Sequence, residues 1–111
     1  PTYATDLAKV ILEIINNKDY QDKDRSTKIY HYSNEGEISW YEFAKEIFKI
    51  AKVDCKVSPI RTQQYPTPAK RPKYTIMNKD KLAHMFGVKI EIRGHSLKEC
   101  FKEQQGEIKK C

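Results

Sequence analysis

The sequence has no long apolar run and no recognisable leader. Its longest apolar stretch, Val10 to Ile15, is interrupted by Glu13, whereas a helix needs about 20 predominantly apolar residues to cross a bilayer. No basic segment followed by an apolar one precedes the first predicted helix, so no signal peptide is visible. We therefore expect no membrane partner, and the cysteine pattern described next predicts a cytoplasmic protein.

Cysteine is also scarce. The three cysteines, Cys55, Cys100 and Cys111, are an odd number without close spacing, which is typical of free thiols in a reducing compartment rather than of a disulfide framework. The three histidines, at positions 31, 84 and 95, are not spaced as metal ligands relative to one another or to the cysteines. The sequence predicts no metal site.

A contiguous basic stripe, which phosphate-backbone binding would need, is missing as well. The 21 Lys and Arg residues are interspersed with 15 Asp and Glu residues, giving a net charge of +6. Two short clusters stand out, at residues 70–73 and 109–110. One interpretation is a solvated, lysine-rich surface, and the other is a moderate positive field at the first cluster. We expect no nucleic-acid partner.

The remaining composition describes an ordinary globular domain. The 111 residues are 39% hydrophobic and 32% charged, and a chain of this size buries roughly two-thirds of its unfolded surface. We predict one domain over residues 1–111. The first residue is Pro1 rather than Met, so we interpret the sequence as an excised piece of a longer chain.

Four helices are predicted from apolar residues at helical spacing. They cover residues 6–17, 40–52, 79–86 and 96 to about 106. Thr5 or Asp6 is the candidate cap of the first helix, and a Ser-x-x-Glu capping box at Ser39 begins the second. Asn78 is the candidate cap of the third helix, which Gly87 ends, and a second capping box at Ser96 begins the fourth. The side chains predicted to face inward in the last three helices are Phe43, Ala44, Ile47, Phe48, Ala51, Leu82, Met85, Phe86, Leu97, Cys100 and Phe101.

Two short strands are predicted on either side of the second helix. Residues 28–33 alternate in type and are rich in aromatic side chains, and residues 56–60 form a second candidate with Pro59 near its end. A strand, a helix and a strand in succession indicate a small parallel βαβ unit, so the predicted fold class is α/β. We expect residues 20–27 to form a surface loop and residues 106–111 to be disordered or loosely docked.

Residues 64–74 contain three of the chain's five prolines. Each proline fixes its own φ and makes the preceding residue extended, which predicts a stiff, extended loop. Tyr65, Thr67, Lys70 and Arg71 offer a ring, a hydroxyl and two cations on this frame. The loop is therefore the best candidate for a ligand-contacting surface, and a rigid connector is the alternative.

A Tyr-x-x-x-Lys pattern occurs at Tyr41 and Lys45. On a helix this spacing places a phenol and an ammonium one turn apart, as in the proton-transfer pair of short-chain dehydrogenases. Here the tyrosine lies inside the predicted capping box and no nucleotide-binding unit precedes it. We therefore interpret both residues as part of the first turn and the surface of the helix.

Three further residues allow both a functional and a structural interpretation. Cys100 lies on the apolar side of its predicted helix, which favours a small buried hydrophobe over a nucleophile. His31 could be a general base, but no motif ties a partner to it, so a structural histidine is favoured. Trp40 follows a helix cap, where a core or staple residue is favoured over a stacking platform.

Over nearly its whole length and in the same order, the sequence resembles the C-terminal part of dTDP-4-dehydrorhamnose reductases. The proline motif is the most specific piece. The stretches that carry the resemblance are Pro1-Thr2-Tyr3-Ala4-Thr5-Asp6-Leu7-Ala8, Ile29-Tyr30-His31-Tyr32, Ser39-Trp40-Tyr41-Glu42-Phe43-Ala44, Tyr65-Pro66-Thr67-Pro68-Ala69-Lys70-Arg71-Pro72 and Asn78-Lys79-Asp80-Lys81-Leu82.

The resemblance implies an extended short-chain dehydrogenase in two parts. An N-terminal Rossmann domain would bind NADPH or NADH and carry the catalytic Tyr-x-x-x-Lys, and this chain would be the smaller part that closes over the dTDP-sugar. The full enzyme would reduce the 4-keto group of dTDP-6-deoxy-L-lyxo-4-hexulose to give dTDP-L-rhamnose, and could be a homodimer. The fragment alone would bind no cofactor and contain no catalytic residue.

The resemblance also assigns candidate substrate-binding residues. Tyr65, Pro66 and Thr67 match the family's loop at the mouth of the substrate cleft, and Arg71 matches its arginine before a proline. A guanidinium fork suits paired phosphate oxygens. Three alternatives stay open: a relative with a different nucleotide-sugar substrate, a non-catalytic regulatory subunit of the same superfamily, and a basic nucleic-acid-binding module.

Overall fold

The structure is a computed structural model that describes residues 1–18 and 26–108, with the backbone alone at 106–108. In these ranges it contains four α-helices and one short 3-10 turn. They are α1 (Ala4–Ile15), α2 (Trp40–Ala51), the 3-10 turn (Thr62–Gln64), α3 (Asp80–Phe86) and α4 (Arg93–Ile108). The predicted number of helices is confirmed. No helix in the described ranges has the length and apolarity needed to span a bilayer.

Two sequence predictions fall wholly or partly outside the described ranges. Most of the predicted surface loop at residues 20–27 is not described, and neither are the last three residues of the predicted disordered tail. The described part of that tail is helical, since α4 continues past Gly106 to Ile108.

The chain divides into two compact units. The first contains residues 1–36 and those from 77 onward, with α1, α3 and α4, and the second contains residues 37–76, with α2 and the 3-10 turn. Three buried apolar side chains, Val10, Leu82 and Val88, form the core, and all of them belong to the first unit. The half-buried side chains packed on this core are Ile14, Tyr30, Tyr32, Phe86 and Ile90.

A buried polar cluster joins three distant segments of the first unit. Asn34 donates from Nδ2 to the Asp6 carboxylate at 2.8 Å and to Ser96 Oγ at 3.1 Å, and its Oδ1 accepts from the backbone N–H of Tyr3 at 2.7 Å. The Ser96 hydroxyl donates to the same carboxylate oxygen of Asp6. Because all three side chains are buried, these bonds take the place of lost water contacts. The cluster ties α1 and α4 to the segment around Asn34.

This cluster explains why two capping predictions are wrong. α1 begins at Ala4 after Tyr3, so Asp6 lies inside the first turn and its carboxylate binds Asn34. α4 begins at Arg93, so Ser96 lies inside the helix, with its hydroxyl on Asp6. Short polar side chains satisfy a helix end or a buried partner equally well, and the local sequence does not distinguish the two.

The predicted βαβ unit is wrong. Residues 28–33 and 56–60 form no strand, and the β pairing in the described ranges is one isolated parallel bridge between Glu35 and Ile92. The alternation at 28–33 is nevertheless real, since Tyr30 and Tyr32 pack on the core while Ile29 is exposed. An extended segment acquires this pattern by packing on helices, whereas a strand also needs a hydrogen-bonded neighbour.

The prediction for α3 is confirmed in part, because the helix begins at Asp80 with Lys79, rather than the predicted Asn78, at the N-cap position. Asn78 Oδ1 accepts from the backbone N–H of Asp80 at 2.8 Å, and Gly87 ends the helix with a left-handed φ of +63°. Leu82 is buried, with 1% of its surface exposed. Met85 was expected to face inward and is instead 50% exposed.

Gly36 adopts a backbone conformation that other residues rarely adopt, with φ +119°. A Cβ at this position would lie 3.2 Å from both Cγ and Nε of Arg93. We therefore expect Gly36→Ala to lower the free energy of unfolding by about 2–3 kcal/mol. Gly87→Ala is the matched control, because its Cβ would meet nothing within 4 Å, and should cost about 1 kcal/mol. If both variants lose the same free energy of unfolding in urea, the close approach to Arg93 does not contribute to the cost of Gly36→Ala.

The Tyr32 hydroxyl is buried and has no hydrogen-bond partner in the described ranges. Burial, followed by the negative charges of Asp6, Glu91 and Glu13, raises the pKa of Tyr32 above its ordinary value of 10.0. The unfolded chain therefore releases this proton at a lower pH than the folded chain does. The resulting stabilisation is complete below the unfolded pKa and is lost as the pH rises through the higher folded pKa.

Tyr32→Phe should reduce this loss of stability in alkali. We expect the free energy of unfolding to fall less steeply than in the wild type above about pH 10, since phenylalanine has no proton to release. Chemical unfolding at a series of pH values measures this, with Tyr65→Phe, at a 68% exposed tyrosine, as the control. An alkaline profile that Tyr32→Phe leaves unchanged would contradict the assignment.

In the second unit, α2 begins with the predicted capping box. The Ser39 backbone N–H donates to Glu42 Oε2 at 3.0 Å, and the Glu42 backbone N–H donates to Ser39 Oγ at 3.2 Å. The apolar side of the helix is half-buried at most, and no described residue of this unit is fully buried. The second unit therefore has a well-defined helix start but lacks a fully buried core of its own.

Candidate functional site

The candidate site is the proline-rich segment of the second unit, residues 64–74, here called the proline loop. Every side chain in it is exposed, and it contains neither helix nor strand apart from Gln64, the last residue of the 3-10 turn. The turn leads directly into the loop. The Arg61 backbone N–H donates to Gln64 Oε1 at 2.7 Å, and the Tyr65 backbone N–H donates to the Thr62 carbonyl at 3.2 Å. These bonds fix the point at which the loop begins.

Tyr65 and Thr67 present different groups along the proline loop. The Tyr65 side chain is 68% exposed, so its ring is available for stacking on a flat ligand. The Thr67 hydroxyl donates to the Ala69 carbonyl at 2.7 Å, which holds the turn between Pro66 and Pro68. Because its hydrogen is already used, this hydroxyl can offer a ligand its lone pairs as acceptors.

Arg71 lies in a stretch without acidic residues. Residues 55–76 contain five basic residues, Lys56, Arg61, Lys70, Arg71 and Lys73, and no Asp or Glu. Arg71 is exposed and forms no ion pair with the described side chains of residues 1–18 and 26–105. Its five N–H donors are therefore available to an anionic ligand, and two of them can bind paired phosphate oxygens.

The Tyr41 and Lys45 side chains interact with each other. The Lys45 ammonium lies over the Tyr41 ring, 5.3 Å from its centroid. A cation on the face of a tyrosine is an ordinary stabilising contact on a helix surface, which agrees with the structural interpretation of this pair.

Three other residues noted in the sequence differ in their surroundings. Trp40 is 84% exposed and contacts Phe43 edge-on, with ring centroids 6.2 Å apart, so the expectation of a core residue is wrong. His31 is exposed, and its interpretation as a structural histidine stays a prediction. Cys100 is a half-buried free thiol, and Cys55 is an exposed one.

The exposure of Trp40 is the feature of the second unit that the sequence did not predict. Its place just after a helix cap favoured a core or staple residue, but no described residue of the second unit is fully buried and Trp40 is 84% exposed. The signal that could have indicated exposure is its position as the first residue of α2, at the end of the helix.

The described residues do not fit a dinucleotide or a metal. No strand in these ranges leads through a glycine-rich turn into a helix, which is the arrangement that holds a cofactor pyrophosphate. No group of three His, Cys, Asp or Glu side chains in the described ranges could hold a metal ion. The proline loop remains the predicted ligand-contacting surface of the described residues.

Comparison with known proteins identifies the class of this chain as a substrate-binding domain. Residues 1–105 match the family model of the RmlD substrate binding domain, and the chain belongs to this family. It is 34% identical over 94 residues to a dTDP-4-dehydrorhamnose reductase of Sinorhizobium fredii (strain NBRC 101917 / NGR234), covering 81% of this chain and 32% of the relative. The resemblance found in the sequence is confirmed.

A solved structure supports the same assignment. The chain is similar to the crystal structure of a dTDP-4-dehydrorhamnose reductase from Clostridium acetobutylicum ATCC 824, with a TM-score of 0.82 and 38% identity over 95% of this chain and 35% of that one. It is also 29% identical over 82 residues to a probable dTDP-4,6-dihydroxy-2-methyloxan-3-one 4-ketoreductase of Streptomyces antibioticus, covering 73% of this chain and 26% of the relative. The chain thus spans about a third of the length of these proteins or less.

Proposed function

We propose that this chain is the substrate-binding part of a cytoplasmic dTDP-4-dehydrorhamnose reductase. The full enzyme reduces the 4-keto group of dTDP-6-deoxy-L-lyxo-4-hexulose with NAD(P)H to give dTDP-L-rhamnose. The observation that carries the proposal is the match of residues 1–105 to a substrate-binding family whose similar relatives are named as this reductase. The exposed, acid-free proline loop supports it with a surface suited to a nucleotide-sugar.

In this proposal each candidate residue of the proline loop has a role. The Arg71 guanidinium binds the diphosphate, since its fork matches paired phosphate oxygens. Tyr65 offers its exposed ring to a flat part of the ligand, Pro66 fixes the backbone between them, and Thr67 accepts a hydrogen bond from a sugar or base donor. Because the loop is stiff before binding, little conformational entropy is lost when it closes on the ligand.

The remaining parts of the reaction belong to the longer protein. Cofactor binding and the catalytic Tyr-x-x-x-Lys lie outside this chain in the proposal, because the described residues do not fit a dinucleotide. Titration calorimetry tests this division. The full-length protein should bind NADPH stoichiometrically, whereas the 111-residue chain should show no measurable affinity. Tight, stoichiometric binding of NADPH by the 111-residue chain would contradict the division.

A second candidate is a ketoreductase for another dTDP-sugar. It is favoured by the relative from Streptomyces antibioticus, which is named as a reductase of a different substrate. Parallel assays of the full-length protein distinguish the two, since a rhamnose-pathway enzyme should prefer dTDP-6-deoxy-L-lyxo-4-hexulose over other dTDP-4-keto sugars. A reversed preference would support the second candidate.

A further inference from the structure

α1 has two apolar sides, and the first unit covers one of them. Val10 and Ile14 pack in or against the core on the covered side, where Asp6 joins the buried polar cluster. The adjoining side consists of apolar residues alone, and all of them are exposed. They are Ala4, Leu7, Ala8, Ile11, Leu12 and Ile15, and we call them the α1 apolar face.

The α1 apolar face is continuous and becomes more exposed along the helix. Leu7, Ile11 and Ile15 follow one another at four-residue spacing, so they form a single row. Their exposed fractions rise from 39% to 47% and 71%, and Leu12 beside them is 58% exposed. An apolar arc this wide is typical of a helix packed on two sides rather than one. A surface of contiguous aliphatic side chains is typical of a contact with another protein surface or with a membrane.

We propose that the α1 apolar face is where the cofactor-binding part of the longer reductase packs. The chain matches 32% of its Sinorhizobium relative and 35% of the Clostridium structure, so about two-thirds of such a protein is available to cover this face. The face carries no charged side chain, which suits a permanently buried contact between parts of one polypeptide. The inference rests on the proposed function in one respect, that a cofactor-binding part accompanies this chain.

The chemistry of the face favours this occupant over others. A membrane-surface helix typically combines an apolar side with several Lys or Arg residues on the other, whereas the polar side of α1 carries Thr5, Lys9 and Glu13. A second copy of the chain is the remaining possibility. The two occupants predict different behaviour of the 111-residue chain, because only the second copy would be present when that chain is studied alone.

The test places one substitution in two contexts. In the full-length protein, Ile11→Glu should lower the melting temperature by several degrees, or prevent folding, because a carboxylate would be buried in the contact. In the 111-residue chain the same substitution should leave the melting temperature and the elution volume unchanged. Lys9→Glu, on the polar side of α1, is the control and should be neutral in both. Neutral behaviour of Ile11→Glu in the full-length protein would overturn the proposal.

A labelling measurement keeps the proposal testable if Ile11→Glu does not fold. Ile11→Cys is milder, and its thiol should react with a maleimide at least tenfold more slowly in the full-length protein than in the 111-residue chain. Lys9→Cys should react at similar rates in both, with modified peptides read by mass spectrometry. Equal rates at position 11, or a dimer of the 111-residue chain that Ile11→Glu converts to a monomer, would contradict the proposal. Both readouts are independent of reductase activity, so they stand even if the substrate is a different one.

Discussion

Asn34→Ala should be among the most destabilising single substitutions in this chain, lowering the free energy of unfolding by about 3–4 kcal/mol. The amide of Asn34 bonds to the Asp6 carboxylate, to Ser96 and to the backbone of Tyr3 and Glu91. Alanine removes all of these bonds at once and leaves a buried carboxylate with one fewer donor. A domain is stable by only about 5–15 kcal/mol, so the loss is a large part of the total.

Asn78→Ala is the matched control for this prediction. Asn78 is an exposed asparagine whose single described bond is to the backbone N–H of Asp80, so its replacement should cost about 1 kcal/mol. Urea unfolding of both variants under the same conditions measures the difference. If the two variants lose the same free energy, the buried cluster does not hold α1 and α4 in place.

Arg71→Ala should raise the Michaelis constant of the full-length enzyme for its nucleotide-sugar more than tenfold. Loss of a bidentate contact between a guanidinium and a phosphate costs on the order of 1.5–3 kcal/mol, and binding suffers more than turnover because the diphosphate is remote from the reacting carbonyl. Steady-state kinetics with varied nucleotide-sugar at saturating NADPH measures the effect.

Two further variants sharpen the test of Arg71. Arg71→Lys keeps the charge but loses the fork, and should recover only part of the affinity. Arg61→Ala removes an exposed arginine from the same acid-free stretch without touching the family motif, and should change the Michaelis constant by less than about threefold. If Arg71→Ala and Arg61→Ala raise the Michaelis constant for the nucleotide-sugar equally, the stretch acts through its net charge and Arg71 makes no specific contact.

The sequence predicted the helices well because their signals are local. The box at Ser39 and Glu42, the stop at Gly87 and the spacing of apolar residues each depend on a few neighbouring positions. Such patterns reflect backbone groups that must be satisfied within one turn. The four helices therefore followed from the sequence, with their boundaries shifted by a few residues.

The errors arose where distant residues decide the outcome. Ser96 has the pattern of a cap, yet it binds Asp6, ninety positions away in the chain. Residues 28–33 alternate like a strand because two tyrosines pack on the core, and no strand among the described residues pairs with them. Nothing in the local pattern shows whether a partner exists, so neither the buried cluster nor the absence of a βαβ unit from the described ranges could be read from the sequence.

In the candidate site, too, the sequence predicted the locally determined features and missed those that depend on the rest of the fold. The exposed proline loop and its cations could be located from composition and proline chemistry, whereas the exposure of Trp40 could not, because it depends on how little of the second unit is buried. The roles given to Tyr65, Pro66, Thr67 and Arg71 remain predictions that come from the resemblance and agree with the surface these residues form.

The most direct test is a product assay of the full-length protein with NADPH and dTDP-6-deoxy-L-lyxo-4-hexulose. We expect NADPH to be consumed in equal amount to the sugar nucleotide, with dTDP-L-rhamnose as the product identified by chromatography and NMR. A folded full-length protein that binds NADPH but converts neither this substrate nor another dTDP-4-keto sugar would contradict the account.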